Sequence, residues 1–239
     1  MEAATLWGML YGFHQMITLL GATADMGGDL LDSIKMVLET NDLLCQDFPE
    51  ACVPVREIEG QANRCNGQRQ HGEKTWIRWG KKVIVLPRVK IADPAGGLDE
   101  NGKPKMVYSA CSNAIIKCGG LTGGSVRGQH YTRADGYVVR PSLVLLDDPQ
   151  TDATAASPTQ NKTRVKLLMG AVLGMAGPGR KIAAMMPCTV IQPDDMADRI
   201  LDAQKRPEWN GLRTKLVYTF PTNEKLWDEY ARLRSEGLR

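Results

Sequence analysis

The chain has 239 residues, of which 43% are hydrophobic, so it can bury a large core and global disorder is excluded. Its formal charge of +3 comes from 30 basic and 27 acidic residues, an excess too small to indicate nucleic-acid binding by itself. It contains no run of about 18 apolar residues and no basic stretch ahead of an apolar one at its N-terminus, so we expect neither a membrane span nor a signal peptide.

The first 50 residues carry helix and strand patterns in alternation. Residues 2–14 form one amphipathic helix, whose apolar face consists of Leu6, Met9, Leu10 and Phe13. The run "QMITLLGAT" predicts a buried strand, and Thr23 is a candidate N-cap for a second helix that ends near Asn41. The inward face of that helix consists of Met26, Leu30, Ile34 and Val37. Helix, strand and helix in succession are typical of a parallel α/β sheet.

The middle of the chain has a different character. Residues 75–89 predict two short strands around Gly80, arranged as a hairpin, and residues 92–105 form a polar loop rich in turn residues. Residues 113–120 predict another short strand, and residues 121–141 form a glycine-rich, basic loop. This loop leads into the strand that ends at Asp147.

The α/β alternation returns in the last third. Ser157, Pro158 and Gln160 carry the pattern of a helix start. Residues 181–191 and 214–220 predict strands, and residues 192–204 and 222–234 predict helices.

Two adjacent carboxylates follow a fully apolar strand in "SLVLLDD". In a parallel α/β sheet, ligands bind beyond the carboxyl ends of the strands, where one acid can hold Mg²⁺ and its neighbour can polarise a water. Asp147 is therefore the candidate magnesium acid and Asp148 the candidate water-activating acid. Two other interpretations stay open: an acid pair that only caps the turn after the strand, and a two-metal nuclease site with further acids.

A zinc site is not indicated. The six cysteines form no C-x-x-C pair, and the three histidines are scattered. Reduced thiols in a cytosolic protein are the simpler interpretation.

Four stretches together resemble the large terminase subunit of tailed bacteriophages, the motor that packages DNA into the procapsid. They are residues 19–50, residues 120–128 ("GLTGGSVRG"), residues 140–152 ("RPSLVLLDDPQTD") and residues 185–201. The resemblance covers nearly the whole chain in the family's order, and the third stretch is the most specific.

The resemblance implies roles for four residues. "LVLLDD" matches the Walker B strand, so Asp147 would hold Mg²⁺ and ATP, and Asp148 would be the catalytic acid. Thr189, in "PCT", stands where the family has its coupling motif, and Arg127, in "SVRG", would lie near the nucleotide or the neighbouring subunit. Thr189 alone also fits a strand-end turn, and Arg127 a solvated surface arginine.

The family's phosphate-binding loop, G-x-x-x-x-G-K-[ST], is missing from this sequence. The uncapped helix at residues 2–14 corresponds to the helix that follows that loop, and the family's nuclease domain has no counterpart here. We therefore expect an internal piece of a large terminase that is inactive alone. A prophage relic, one half of a split gene and a helicase-like ATPase remain alternatives.

The resemblance also implies a fold and partners. The expected fold is an α/β three-layer sandwich of the ASCE-type P-loop NTPase class, with a mostly parallel sheet that lacks its first strand. Residues 1–220 would form the ATPase core, with an antiparallel excursion at about 60–115, and residues 221–239 a helix leading toward the nuclease domain. Expected partners are double-stranded DNA, the portal protein, the small terminase subunit and further copies in a homo-oligomeric ring, in the host bacterial cytoplasm.

Overall fold

The computed structural model of the chain describes residues 1–122, 126–220 and 222–237. Twelve strands lie in these ranges: β1 (Met16–Gly21), β2 (Arg69–Gln70), β3 (Glu73–Lys74), β4 (Arg78–Trp79), β5 (Val83–Val85), β6 (Lys90–Ala92), β7 (Met106–Tyr108), β8 (Ile115–Gly120), β9 (Tyr131–Thr132), β10 (Val138–Val139), β11 (Leu143–Leu146) and β12 (Ala183–Met185). The helices described there are α1 (Glu2–Leu10), α2 (Ala24–Thr40), α3 (Asp42–Asp47), α4 (Pro49–Glu57), α5 (Asp152–Ala155), α6 (Pro158–Leu167), α7 (Met196–Ile200) and α8 (Glu224–Ser235).

A six-stranded mixed sheet forms the centre of the fold, with the strand order β12-β11-β1-β8-β5-β4. The first four strands of this order run parallel, and β5 and β4 continue the sheet as antiparallel neighbours. The parallel strands β1 and β11 are buried along their whole length, as expected for strands with both faces covered. The predicted α/β fold with a mostly parallel sheet is confirmed.

Helix α2 begins where the sequence predicts, because the Thr23 side chain accepts a hydrogen bond from the N–H of Met26. Of its predicted inward face, Leu30 and Ile34 are buried, but Met26 is 41% exposed. The buried face is rotated toward Gly27, Leu31 and Leu38. The predicted apolar face of α1 needs a similar correction, since Phe13 lies beyond the helix and is 59% exposed. Gly27 was missed because a glycine has no apolar side chain and so adds nothing to a hydrophobic pattern.

The excursion in the middle of the chain contains three hairpins, of which the first, β2 and β3, forms a small sheet of its own. The predicted hairpin around Gly80 is present as β4 and β5, and it extends the main sheet instead of standing apart from it. The polar loop at 92–105 connects the third hairpin, β6 and β7.

Two compact units divide the chain, Met1–Arg199 and Ile200–Arg239. In the second unit α8 forms as predicted, with Asn223 as its N-cap. The prediction of a strand at residues 214–220 is wrong. The backbone there has no regular structure, and Leu216 and Phe220 are exposed. No neighbouring strand pairs with this segment among the described residues, and β-propensity alone does not sustain a strand.

The helix predicted at residues 192–204 is shorter than expected and covers Met196–Ile200. Across the described ranges, no helix is both long and apolar enough to cross a lipid bilayer.

Candidate functional site

The two predicted acids lie at the carboxyl edge of the parallel strands. Asp147 and Asp148 directly follow β11, which is flanked by β1 and β12. The N–H of Asp147 donates to the carbonyl of Leu20 (2.8 Å), which extends the strand pairing by one residue. Both side chains are exposed. The structure thus presents an accessible pair of carboxylates where α/β sheets bind ligands.

The two carboxylates have different surroundings. The carboxylate of Asp147 has no hydrogen bond or ion pair with any described residue, so it is available to a ligand. Asp148 has a left-handed backbone (φ +41°), and its Oδ1 accepts a hydrogen bond from the N–H of Thr189 (3.2 Å). In return, the N–H of Asp148 donates to the carbonyl of Pro187 (3.2 Å). The structure therefore brings together two residues that were predicted separately, Asp148 and Thr189.

A buried polar network lies behind Thr189. Gln150 is only 3% exposed, and its Nε2 donates to the Thr189 carbonyl and to Oδ2 of Asp195, both at 2.8 Å. Asp195 is fully buried and also accepts from the N–H groups of Ile191 (2.7 Å) and Gln192 (3.1 Å). The network ties the segment that carries Thr189 to the turn after Asp148.

Asp195 is also the N-cap of α7, since its Oδ1 accepts from the N–H of Asp198 (2.9 Å). Burial alone would raise the pKa of this carboxyl, but its hydrogen bonds from backbone N–H groups and from Gln150 hold the pKa below its usual value. Sequence reasoning did not single out Asp195, although an aspartate three residues before another acid at a helix start is a capping signal.

Cys188 lies beside this network. Burial raises the pKa of its thiol to about 11, and the negative charges of Asp148 and Asp195 add to the shift. Its thiol is therefore protonated at neutral pH.

Arg164 is a second residue that the sequence did not reveal. Its guanidinium, projecting from α6, donates to the carbonyls of Pro149 (2.5 Å) and Ala22 (3.5 Å), which follow β11 and β1. It forms no ion pair with a described carboxylate. Burial lowers the pKa of Arg164, yet an arginine keeps its charge. The edge with the acid pair thus also carries a fixed positive charge.

Arg127 lies in a different place. It lines a cavity of about 510 Å³ beside α6, together with Gly128, Thr163 and Lys166. No described residue links its side chain to Asp147 or Asp148, and Gly123–Ser125, which precede it, lie outside the described residues. Its predicted role near the nucleotide stays a prediction.

Three glycines of the "GATADMGG" and "GGLTGG" clusters allow close packing. A Cβ at Gly27 would lie 2.2 Å from the carbonyl oxygen of Gly119, and one at Gly120 would lie 2.6 Å from the nitrogen of Ala24. At Gly21, a Cβ would lie 2.7 Å from the Cβ of Met26. These glycines let the first turn of α2 approach the ends of β1 and β8.

Two carboxylates alone make up only part of a metal site. No group of three or more His, Cys, Asp or Glu side chains within the described ranges could hold a metal ion. Mg²⁺ is commonly bound by one or two carboxylates together with waters and phosphate oxygens, and Asp147 with Asp148 can supply that part. The two-metal nuclease interpretation gains no further acids from the part of the chain that the structure describes.

The fold and this edge define the chain as an α/β protein with a mixed, mostly parallel sheet and a carboxylate pair at its carboxyl edge. Such an arrangement is compatible with a Rossmann-like or a P-loop fold. Comparison with protein families, with curated proteins and with solved structures found no match to this chain. The functional argument therefore rests on the geometry of the site.

Proposed function

We propose that this chain is the ATPase-core portion of a phage terminase large subunit, a magnesium-dependent motor that moves double-stranded DNA into procapsids. The observation that carries the proposal is the hydrogen bond between Asp148 and Thr189. It joins the acid that would activate water to the segment that would transmit the result, four residues beyond the end of β12.

The two acids divide the chemistry between them. Asp147, whose carboxylate is unpaired among the described residues, holds the metal, and a bound Mg²⁺ would supply charge neutralisation for the phosphates. Asp148 orients the attacking water and accepts its proton. Its Oδ1 accepts a hydrogen bond from the Thr189 N–H, whereas its Oδ2 accepts none from the described residues. Oδ2 is therefore the oxygen assigned to accept the proton of the water.

The contacts also supply a route for coupling. When the charge or orientation of Asp148 changes, its hydrogen bond to the Thr189 N–H changes with it. Thr189 is in turn tied through Gln150 to Asp195 at the start of α7. A continuous set of hydrogen bonds thus connects Asp148 to the start of α7.

The edge of β12 supports the P-loop assignment. Among the described residues β12 pairs with β11 alone, and the side chains of Ala183 and Met185 are exposed. A further parallel strand fits there, one strand away from the acid pair. Because the sequence contains no G-x-x-x-x-G-K-[ST], the proposal requires such a strand and its phosphate loop to be supplied by another segment.

The partners belong to the same proposal. ATP and Mg²⁺ are the ligands, and double-stranded DNA, the portal protein, the small terminase subunit and further copies in a ring are the macromolecular partners, in the host bacterial cytoplasm. Arg127 would serve the nucleotide or the neighbouring subunit.

A chimera tests the proposal. A strand and phosphate loop from a packaging ATPase are fused ahead of α1, and steady-state ATP hydrolysis is measured with Mg²⁺. Asp148→Asn should abolish kcat with little change in KM, because it removes only the proton-accepting group. Asp152→Asn, an exposed acid four residues further on, is the matched control and should hydrolyse ATP at the parental rate. Equal kcat for Asp148→Asn and the parent would refute the role of Asp148.

A further inference from the structure

A second cavity lies at the opposite edge of the same sheet. β5 runs antiparallel to β8, and the pairs Arg78 with Val85 and Val85 with Ile115 place β4 beside the amino end of β8. Asp147 and Asp148 follow the carboxyl ends of the parallel strands. A ligand at this amino edge would therefore occupy a site separate from the acid pair.

The cavity has the size and chemistry of a binding site. Its volume is about 670 Å³, and its lining includes Lys74, Trp76, Arg78, Tyr131 and Arg133 but no carboxylate. Pockets for small ligands commonly measure about 300–1,000 Å³. A smaller cavity, of about 70 Å³, shares Trp76 and Arg133 with the first, so Trp76 lines both cavities.

Cations and aromatic rings alternate across this surface. We call it the aromatic–basic surface, and it comprises Lys74, Trp76, Arg78, Arg88, Tyr108, Tyr131, Arg133 and Tyr137. Within it lie four cation–ring pairs: Lys74 over Trp76 (5.1 Å), Arg78 over Tyr131 (6.0 Å), Arg88 over Tyr108 (4.0 Å) and Arg133 over Tyr137 (5.9 Å). A groove of this composition suits a ligand that carries both negative charge and flat rings.

Lys74, Trp76 and Arg78 are exposed on the same side of their segment. Between residues 74 and 79 burial alternates, so Thr75, Ile77 and Trp79 point into the protein and Lys74, Trp76 and Arg78 point out. The result is a cation, a ring and a cation in a row on one face.

Most of the charge on this surface is not neutralised. Lys74, Arg78 and Arg88 form no ion pair with the described carboxylates, and only Arg133 is paired, with Asp135 (2.7 Å). Glu73 lies nearby but is engaged by Lys90 (2.5 Å) and the Tyr108 hydroxyl (3.0 Å). Three cations thus remain for an anionic ligand.

Trp76 is held in an uncommon conformation. Its φ of +55° lies in the left-handed region, which bulky residues rarely adopt, and Asn113 beside it has φ +59°. Trp76 is also 46% exposed, so core packing does not account for its ring. Backbone strain at an exposed aromatic residue that lines a cavity is an indication of function.

We propose that the aromatic–basic surface binds single-stranded nucleic acid, with a base stacked on Trp76 and phosphates beside Lys74, Arg78 and Arg88. Stacking on exposed rings with backbone contacts to cations is the general mode of sequence-tolerant single-strand binding. Duplex DNA hides its bases from such stacking. The proposal does not depend on ATP hydrolysis by this chain.

Fluorescence anisotropy of a labelled 16-nucleotide oligo-dT, titrated with the full chain, measures this binding. Trp76→Asn removes the ring while tolerating the positive φ, and it should raise Kd by about 5- to 150-fold, whereas Trp76→Phe should restore most of the affinity. Trp7→Ala, which removes an exposed tryptophan of α1, is the matched control and should leave Kd unchanged.

Salt dependence tests the phosphate contacts separately. Each phosphate contact to a single strand contributes about 0.7 to the slope of log K against log salt, so three cations predict a slope of about −2. Arg78→Ala should reduce its magnitude by about 0.7, and Lys162→Ala, on α6, should not change it.

Three results would overturn the proposal. The first is a Kd for oligo-dT that is the same in the parent and in Trp76→Asn, or an equal loss of oligo-dT affinity in Trp76→Asn and in Trp7→Ala. The second is a 16-base-pair duplex that binds as tightly as oligo-dT. The third is dTMP that displaces oligo-dT at equal nucleotide concentration, which would make the site one for a mononucleotide.

Discussion

Two neighbouring glycines of α2 should respond to the same substitution with opposite signs. A Cβ at Gly27 would lie 2.2 Å from the carbonyl oxygen of Gly119, whereas a Cβ at Gly28 would meet nothing within 4 Å. Gly27→Ala and Gly28→Ala are therefore a matched pair that differs only in what the new methyl group meets. The pair tests whether the first turn of α2 rests on the end of β8.

The magnitudes follow from the geometry. Alanine is more favourable than glycine in a helix interior by about 0.8–1 kcal/mol, so Gly28→Ala should stabilise the fold by about that amount. At Gly27 the same gain is opposed by a clash with backbone, which cannot rotate away, and overpacking costs about 1–3 kcal/mol or more. We expect Gly27→Ala to destabilise by about 1–2 kcal/mol net, a difference between the variants of about 2–3 kcal/mol.

The assay is urea unfolding followed by tryptophan fluorescence, to which the buried Trp79 contributes. The two variants are compared by the urea concentration at their unfolding midpoints, with the same m-value for both. In thermal unfolding, each kcal/mol corresponds to about 2–4 °C for a chain of this size. If Gly27→Ala is as stable as Gly28→Ala, then α2 does not approach β8 as described, and the packing account of the glycine clusters fails.

Further predictions concern residues around the acid pair. Asp148→Ala should lower the free energy of unfolding by about 1–2 kcal/mol because φ +41° disfavours alanine, while Asp148→Asn, which tolerates this conformation, should change it little in thermal unfolding. Asp195→Ala should cost about 3 kcal/mol or more in urea unfolding, since buried N–H donors lose their acceptor. Because the pKa of Asp195 is lowered on folding, its contribution is present above the unfolded pKa and is lost as pH falls through the folded one, so Asp195→Asn should flatten the acid side of the stability profile; an unchanged profile would refute this. Asp148→Asn should also speed iodoacetamide labelling of Cys188 at pH 8, because it removes one of the charges that raise the thiol pKa, and an unchanged labelling rate would argue against their proximity.

The parts of the fold that were predictable depend on local patterns. Strand β11 and its two acids are visible as an apolar run followed by carboxylates, and α2 is visible through its Thr23 cap. The strand expected at residues 214–220 failed because β-propensity does not reveal whether a neighbouring strand is available.

The parts of the site that were missed depend on contacts between distant positions. Gln150 meets Asp195 across 45 residues, and Arg164 meets the carbonyl of Ala22 across 142 residues. No spacing rule connects such positions in a single sequence. The hydrogen bond between Asp148 and Thr189 was likewise not foreseen, although both residues were chosen for other reasons.

The most direct test of the central claim is to locate divalent metal binding on the chain. Mn²⁺, as a paramagnetic substitute for Mg²⁺, is titrated into the ¹⁵N-labelled chain, and the broadening of each backbone amide signal is followed by NMR. The account predicts that the amides of Asp147, Asp148 and Thr189 broaden first, that Asp147→Asn abolishes this effect, and that Asp152→Asn preserves it. First broadening elsewhere, or the same broadening in Asp147→Asn, would contradict a magnesium site at this edge of the sheet.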